Sequence, residues 1–205
     1  MLITASDLLL RASILLQDTT LTRWQTPELL DWLSDGQREY VRIKPDAYVR
    51  NVDFSLAAGA KQALPADAVR LVDVPRNSGG TAIRVISRRL LDTQVRDWTS
   101  PARVSPVVVH YCWDPANPKF FDVYPPSPGG NVVEVVYQAV PQALGLNDTL
   151  VIEDSAGSAL IDYMLFRALS KDTEFASNDP RATMHYNAFV SAAGGRPQTS
   201  AQAGA

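Results

Sequence analysis

The chain has 205 residues, with 19 Lys and Arg against 22 Asp and Glu, a formal net charge of −3. Its 46% hydrophobic and 20% charged residues describe a globular protein of one domain, or one domain with a smaller lobe. The near-neutral balance excludes a protein held on nucleic acid by bulk charge; two His and one Cys exclude a disulfide framework and leave little for a metal site.

Residues 1–48 read as two helices. Leu8, Leu9, Ala12, Leu15 and Leu16 recur at helical spacing, with Thr4 or Ser6 placed to cap the start. Thr26-Pro27-Glu28 signals a second start, with Thr26 as N-cap and Pro27 at the first helical position. Leu29, Leu30, Leu33, Gln37, Tyr40 and Val41 trace one face of this helix, and Lys44-Pro45 ends it. Gly36 inside it costs about 1 kcal/mol relative to Ala, which points to a close backbone contact.

Residues 49–144 change character. Val49 to Leu56 alternates with period 2, and further strands are expected at Val69–Val74, Thr81–Ile86, Val107–Trp113, Lys119–Tyr124 and Val132–Gln138. Turn residues separate them, including Asn77-Ser78-Gly79-Gly80 and the run Pro125 to Gly130. Eight of the 14 prolines fall between Pro101 and Pro141, as a meander of short strands requires. One helix is expected within the lobe, near 87–98, with Leu91, Val95 and Trp98 on one face.

Residues 145–194 return to helix. From Glu153 to Lys171 the chain is strongly apolar: Ala156, Ala159, Leu160, Tyr163, Met164 and Ala168 form one stripe, and Ile161, Leu165, Phe166 and Leu169 extend it almost all round. A helix this apolar needs cover on more than one side, from its own domain or from a neighbouring copy. A last helix carries Met184, His185, Tyr186, Phe189 and Val190 and stops at Gly194-Gly195. Residues 195–205 have no large apolar side chain and are expected to be a flexible tail. The fold class is therefore α+β: a helical bundle from the N- and C-terminal helix pairs, residues 1–48 and 145–194, with an inserted antiparallel β lobe at 49–144 and a disordered C-terminal tail. No apolar run approaches the ~18 residues of a membrane span, and the start lacks the basic region of a signal peptide. The expectation is a protein kept in a reducing cytoplasm.

Catalytic patterns are weak. His110 and Cys112 share a face of one probable strand, but no third group orients them, and a half-buried strand explains the segment better. Ala156-Gly157-Ser158-Ala159 is no nucleophile elbow, and neither Gly79-Gly80 nor Gly129-Gly130 begins a phosphate loop. Glu153 and Asp154 at a helix start read as dipole complements. Charge by segment says more: residues 1–48 carry 7 acids and 5 bases, 49–144 carry 8 and 10, and 145–205 carry 7 and 4. In the mildly basic middle, Arg84, Arg88, Arg89 and Arg96 offer a surface for DNA or an acidic partner. The competing reading is an ordinary salt-bridged helix face of Arg88, Asp92 and Arg96. The four Trp lie on different elements, which suits packing rather than base stacking.

Four stretches carry a resemblance: Tyr111 to Pro126, Leu160 to Phe175, Leu29 to Glu39, and Gln62 to Leu71. Taken in chain order, on a chain of helix pair, β segment and helix pair, they resemble the head-to-tail adaptor (connector) proteins of short-tailed bacteriophages, the group that includes tail tubular protein A. The likeness covers residues 1–194. It implies a structural virion protein without catalytic motif or cofactor, found in the virion neck or tail and assembled in the host cytoplasm without a membrane. It implies a homo-oligomer, a dodecameric ring docked under the portal protein. That ring extends the channel used in DNA ejection, touches genomic DNA transiently and presents a platform to the tail tube or nozzle protein. Family C-terminal segments engage the portal, which designates Gly194, Gly195, Arg196, Pro197, Gln198 and Thr199 here. Ile161, Leu165, Phe166 and Leu169 are the expected ring interface. The alternatives are another neck or tail-completion ring protein and a tail-associated cell-wall hydrolase resting on Glu153 or Asp154.

Overall fold

A computed structural model describes residues 3–172 and 178–196; the expected tail beyond Arg196 lies outside the described residues. The described residues fall into two compact units. One joins residues up to 48 with those from 141 onward, and the other is 49–140.

The first unit is helical. α1 (Ala5–Leu15) starts on a capping box in which Asp7 N–H donates to Thr4 Oγ1 and Thr4 N–H donates back to the Asp7 carboxylate. α2 (Thr26–Ile43) starts one residue earlier than the sequence signal: Gln25 occupies the N-cap without a side-chain bond, and Thr26 is already helical. α4 (Gly157–Lys171) follows a 3-10 turn at Asp154–Ala156, and α5 (Asn178–Ala192) completes the set. Leu8, Leu29, Leu33, Leu160, Met164 and Phe189 are wholly buried between them. Gly36 sits against α4: a Cβ there would stand 3.0 Å from Tyr163 Cδ1 and 3.3 Å from Leu160 Cδ2. The helical glycine is thus the close contact that its cost implied. α2 also holds the segment leading to α4. Ser34 Oγ accepts from Leu144 N–H at 3.0 Å, and Gln37 Oε1 accepts from Val151 N–H at 3.2 Å. α5 ends where the glycines predict: Gly194 has a φ of +83°, and Gly195 N–H donates to Val190 O at 2.8 Å.

The second unit has seven strands: β1 (Val49–Ser55), β2 (Gly59–Ala63), β3 (Ala68–Asp73), β4 (Arg84–Val85), β5 (His110–Trp113), β6 (Phe120–Ser127) and β7 (Val132–Ala139). They form a three-stranded sheet in the order β1-β7-β3 and a four-stranded sheet in the order β2-β6-β5-β4. The sheets meet through Phe54 and Phe121, whose ring centroids are 6.3 Å apart, and through Tyr111, whose hydroxyl donates to Asp73 Oδ1 at 2.7 Å. All pairings are antiparallel except β4 with β5, which is parallel, so the lobe is mixed rather than purely antiparallel.

Three local readings change. β6 runs through Pro125 and Pro126 to Ser127, leaving a shorter turn at 128–130; Pro126 still contributes its carbonyl, which accepts from Ser105 N–H. β2 had no apolar signal because its inward positions are Ala60 and Gln62. The helix expected to reach 98 is α3 (Arg88–Gln94), which stops four residues short. Trp98 is buried all the same, its indole N–H donating to Asp92 Oδ1 at 2.7 Å.

Candidate assembly surfaces

α4 was the helix whose apolar surplus pointed to a neighbouring copy. Within the chain, Leu165 is already buried and Ile161, Phe166 and Leu169 are half-buried. Phe166 packs on Tyr163 and Tyr186 with ring centroids 5.8 and 4.9 Å away. α1, α2 and α5 therefore supply much of the cover that was expected from outside. Leu165 and Leu169 do reach the wall of a groove of about 480 Å³, together with Leu15, Leu16 and Trp24. Charged groups flank that groove. Arg23 pairs with Asp172 at 2.7 Å, and His185 Nδ1 lies 2.8 Å from Asp162 Oδ1, tying α5 to α4.

The exposed aliphatic surface of the helical unit lies instead on α1. Leu10, Ile14 and Leu15 are 59%, 55% and 59% exposed on a helix of 11 residues. Leu15, expected on the buried stripe with Leu8 and Ala12, lies on that face but is the last residue of the helix, where it opens onto the groove. Leu10 and Ile14 stand four residues apart, a signal that was present in the sequence. The run Leu8-Leu9-Leu10 hid it, because apolar residues there occupy every side of the helix.

In the β unit, Arg84, Arg88, Arg89 and Arg96 are all exposed, but the structure separates their roles. Arg88 is tied to the buried Asp122 on β6. Asp92 is taken by Trp98, and Arg96 lies beyond the end of α3, so the helix-face ladder of Arg88, Asp92 and Arg96 does not form. Burial pushes the Asp122 carboxyl up despite the guanidinium of Arg88 and the ammonium of Lys61 nearby.

Cys112 is buried in a small cluster with Ala60, Leu91 and Trp98. Burial, reinforced by the Asp122 charge, pushes its thiol up to about 11. His110 stacks on Tyr124 across the β5–β6 pair at 6.4 Å. A protonated thiol inside a packed cluster is a poor nucleophile. Glu153 pairs with Lys44 at 2.7 Å, and that ammonium holds its carboxyl below the usual range. Asp154 opens the 3-10 turn and accepts from Ile3 N–H at 3.5 Å. Both carboxylates serve the start of the helical segment.

Of the C-terminal residues expected to meet a portal, Gly194, Gly195 and Arg196 follow α5, and Pro197, Gln198 and Thr199 lie outside the described residues. Among the described residues no three His, Cys, Asp or Glu side chains are grouped to hold a metal ion, and no helix is long and apolar enough to cross a membrane.

What the geometry offers is surface: an aliphatic helix face, a groove beside it and an arginine-bearing corner on the β unit. No curated protein matches the chain. A family model described as SU10 adaptor protein matches residues 3–205, nearly the whole length. The chain therefore belongs to the SU10 adaptor protein family, consistent with a phage head-to-tail adaptor, and its role is structural, in the virion neck.

Proposed function

We propose that twelve copies close into a ring beneath the portal, extending the DNA channel and presenting a platform for tail components. The observation that carries this reading is the exposed Leu10 and Ile14 face of α1 beside the groove walled by Leu15, Leu165 and Leu169. A ridge and a groove of matching chemistry on one chain are the requirement for a head-to-tail interface, which closes when the rotation between copies allows. Ile161 and Phe166, half-buried within the chain, take no part in the groove wall. The segment Gly194 to Thr199 reaches the portal, and the β unit faces the tail tube or nozzle protein. The lumen touches genomic DNA only transiently, as a chain with a net charge of −3 should. The ring assembles in the host cytoplasm and performs no catalysis.

Sedimentation of the full chain, alone and mixed with portal rings, tests the proposal. The protein alone should run as a monomer or a weak oligomer and should co-sediment once portal is added. Deleting residues 195–205 should abolish co-sedimentation. Failure of the intact chain to co-sediment at any salt concentration would sink the portal-adaptor reading.

A further inference from the structure

The three-stranded sheet of the β unit ends at β1 on an open edge. β1 pairs with β7 alone, over seven residues in unbroken register from Val49 with Gln138 to Ser55 with Val132, and contains neither proline nor bulge. Leu56 N–H donates to Asn131 O at 2.9 Å, whereas Val132 O accepts from Ser78 N–H and Glu134 N–H donates to Arg76 O on the far side of β7. Strand alternation therefore turns the backbone groups of Arg50, Val52 and Phe54 toward β7 and those of Val49, Asn51, Asp53 and Ser55 away from it. Those four residues are exposed, and among the described residues their N–H groups have no hydrogen-bond partner. The side chains of β1 divide in the same alternation. Phe54 faces the second sheet, its ring centroid 6.3 Å from that of Phe121. Val52 and Phe54 are half-buried, although Val135 and Val133 opposite them are fully buried. On the outer face Asp53 stands directly opposite Glu134, in the closer kind of antiparallel pair that makes no backbone bonds. Like charges placed so repel. Glu134 is answered by Arg76 at 3.0 Å, whereas among the described residues Asp53 has no ion-pair partner.

We propose that β1 takes up, as an added strand, an extended segment of another protein in which apolar residues alternate with Lys or Arg. Main-chain bonds to Val49, Asn51, Asp53 and Ser55 hold the segment, as in strand addition generally. Its apolar side chains cover Val52 and Phe54, and a basic one lies beside Asp53, where it offsets the repulsion from Glu134. A second copy of this chain does not meet these requirements. β3, the other edge of the same sheet, is bulged twice, and its Leu71 N–H already donates to Pro118 O at 3.2 Å. Two β1 strands paired antiparallel through their open groups set Val49, Asn51, Asp53 or Ser55 opposite Asp53, and none of these is basic. An open edge accepts such a segment whether or not the chain closes into a ring.

The test uses the full chain and labelled peptides read by fluorescence anisotropy. One peptide alternates Val and Lys, a second holds the same residues in separate blocks, and a third alternates Val and Glu. The alternating Val and Lys peptide should bind more tightly than the other two, and salt should weaken it. N-methylation of every second residue, made in both phases, should weaken binding about tenfold or more in one phase and little in the other, because only one set of N–H groups faces β1. Asp53→Lys, at an exposed position, should weaken the same peptide about tenfold by turning attraction into repulsion. Hydrogen exchange reads the edge directly. In the chain alone the amides of Val49, Asn51, Asp53 and Ser55 should exchange faster than those of Arg50, Val52 and Phe54, and the peptide should slow the first set. Slow exchange of those four amides without peptide would show the edge already occupied, by a second copy if the protection grows with protein concentration, and either case overturns the proposal. So does a failure of the alternating Val and Lys peptide to bind, equal binding by the blocked peptide, equal loss in both methylation phases, or binding that leaves the four amides unprotected.

Discussion

In the helical unit two helices come together at a residue with no side chain, whereas in the β unit buried amides hold the elements together. Gly36 lets α2 approach α4 until a single added carbon would stand 3.0 Å from the Tyr163 ring. In the β unit Asn77 plays the corresponding part by bonding. Its Nδ2 donates to Val108 O at 2.8 Å and its Oδ1 accepts from Val108 N–H at 2.9 Å. Gln62, also buried, bonds both the N–H and the carbonyl of Ala57. The difference follows from backbone chemistry. Helices satisfy their own N–H and C=O groups, so between α2 and α4 what remains to specify is shape. The irregular segment leading into α4 is what takes side-chain bonds there, from Ser34 and Gln37. A lobe of short strands joined by long connections leaves backbone groups in the connections, and side-chain amides complete them.

The contrast is sharpest if each unit is broken by its own device. Gly36→Val should cost the most, about 3 kcal/mol, because the branched carbon meets packed rings on a neighbouring helix. Urea unfolding should show the loss, and hydrogen exchange should speed up in α2 and α4 first. A stability equal to the parent would mean that the two helices can separate without penalty.

Asn77→Ala should come next, at about 2 kcal/mol, since it leaves the buried N–H and carbonyl of Val108 without partners. Exchange should speed up at Val108 and in the turn at 77–81 while α2 and α4 keep their protection. Acceleration in the helices as well would show that the two units unfold together and would erase the comparison.

The smallest effect concerns the loop between α1 and α2. There Gln17 and Leu21 have φ values of 57° and 53°, a region that non-glycine residues rarely occupy. The Asp18 carboxylate accepts from Thr22 N–H at 3.0 Å and from Arg23 and Trp24 N–H at 2.8 Å each. Those bonds, Trp24's first, hold its carboxyl below the ordinary value of 3.8. A lowered folded pKa means that the stabilisation is present above that ordinary value and disappears as pH falls through the lowered one. Asp18→Ala should therefore lower the melting temperature slightly at neutral pH, with the gap to the parent closing on acidification. A gap that persists in acid would assign the effect to something other than the carboxylate charge.

Several features were legible before any coordinates. Gly36 announced a close contact by its cost in a helix, and the glycines after α5 announced its end. The buried stripe of α4 was correct residue by residue. β2 was illegible because hydrophobic period is the usual signal, and here the inward positions are filled by alanine and a buried amide. α1 was half legible: three consecutive leucines cannot say which of them faces out. The arginines were visible as a group, but that Arg88 is taken by Asp122, 34 residues away, was decided only by the fold.

The sequence by itself determined the order of helix pair, β segment and helix pair, the capped start of α1, the stop of α5, and the resemblance to phage adaptors. Those depend on local spacing and on residue types whose backbone preferences act within a few positions. Only the tertiary structure decided which apolar residues were left over. It covered most of α4 with neighbouring helices, left Leu10, Ile14 and Leu15 of α1 exposed, and left Val85 exposed on the outermost strand β4. Surplus surface is a difference between what a chain carries and what its own packing consumes, and that difference exists only once the packing partners are in place.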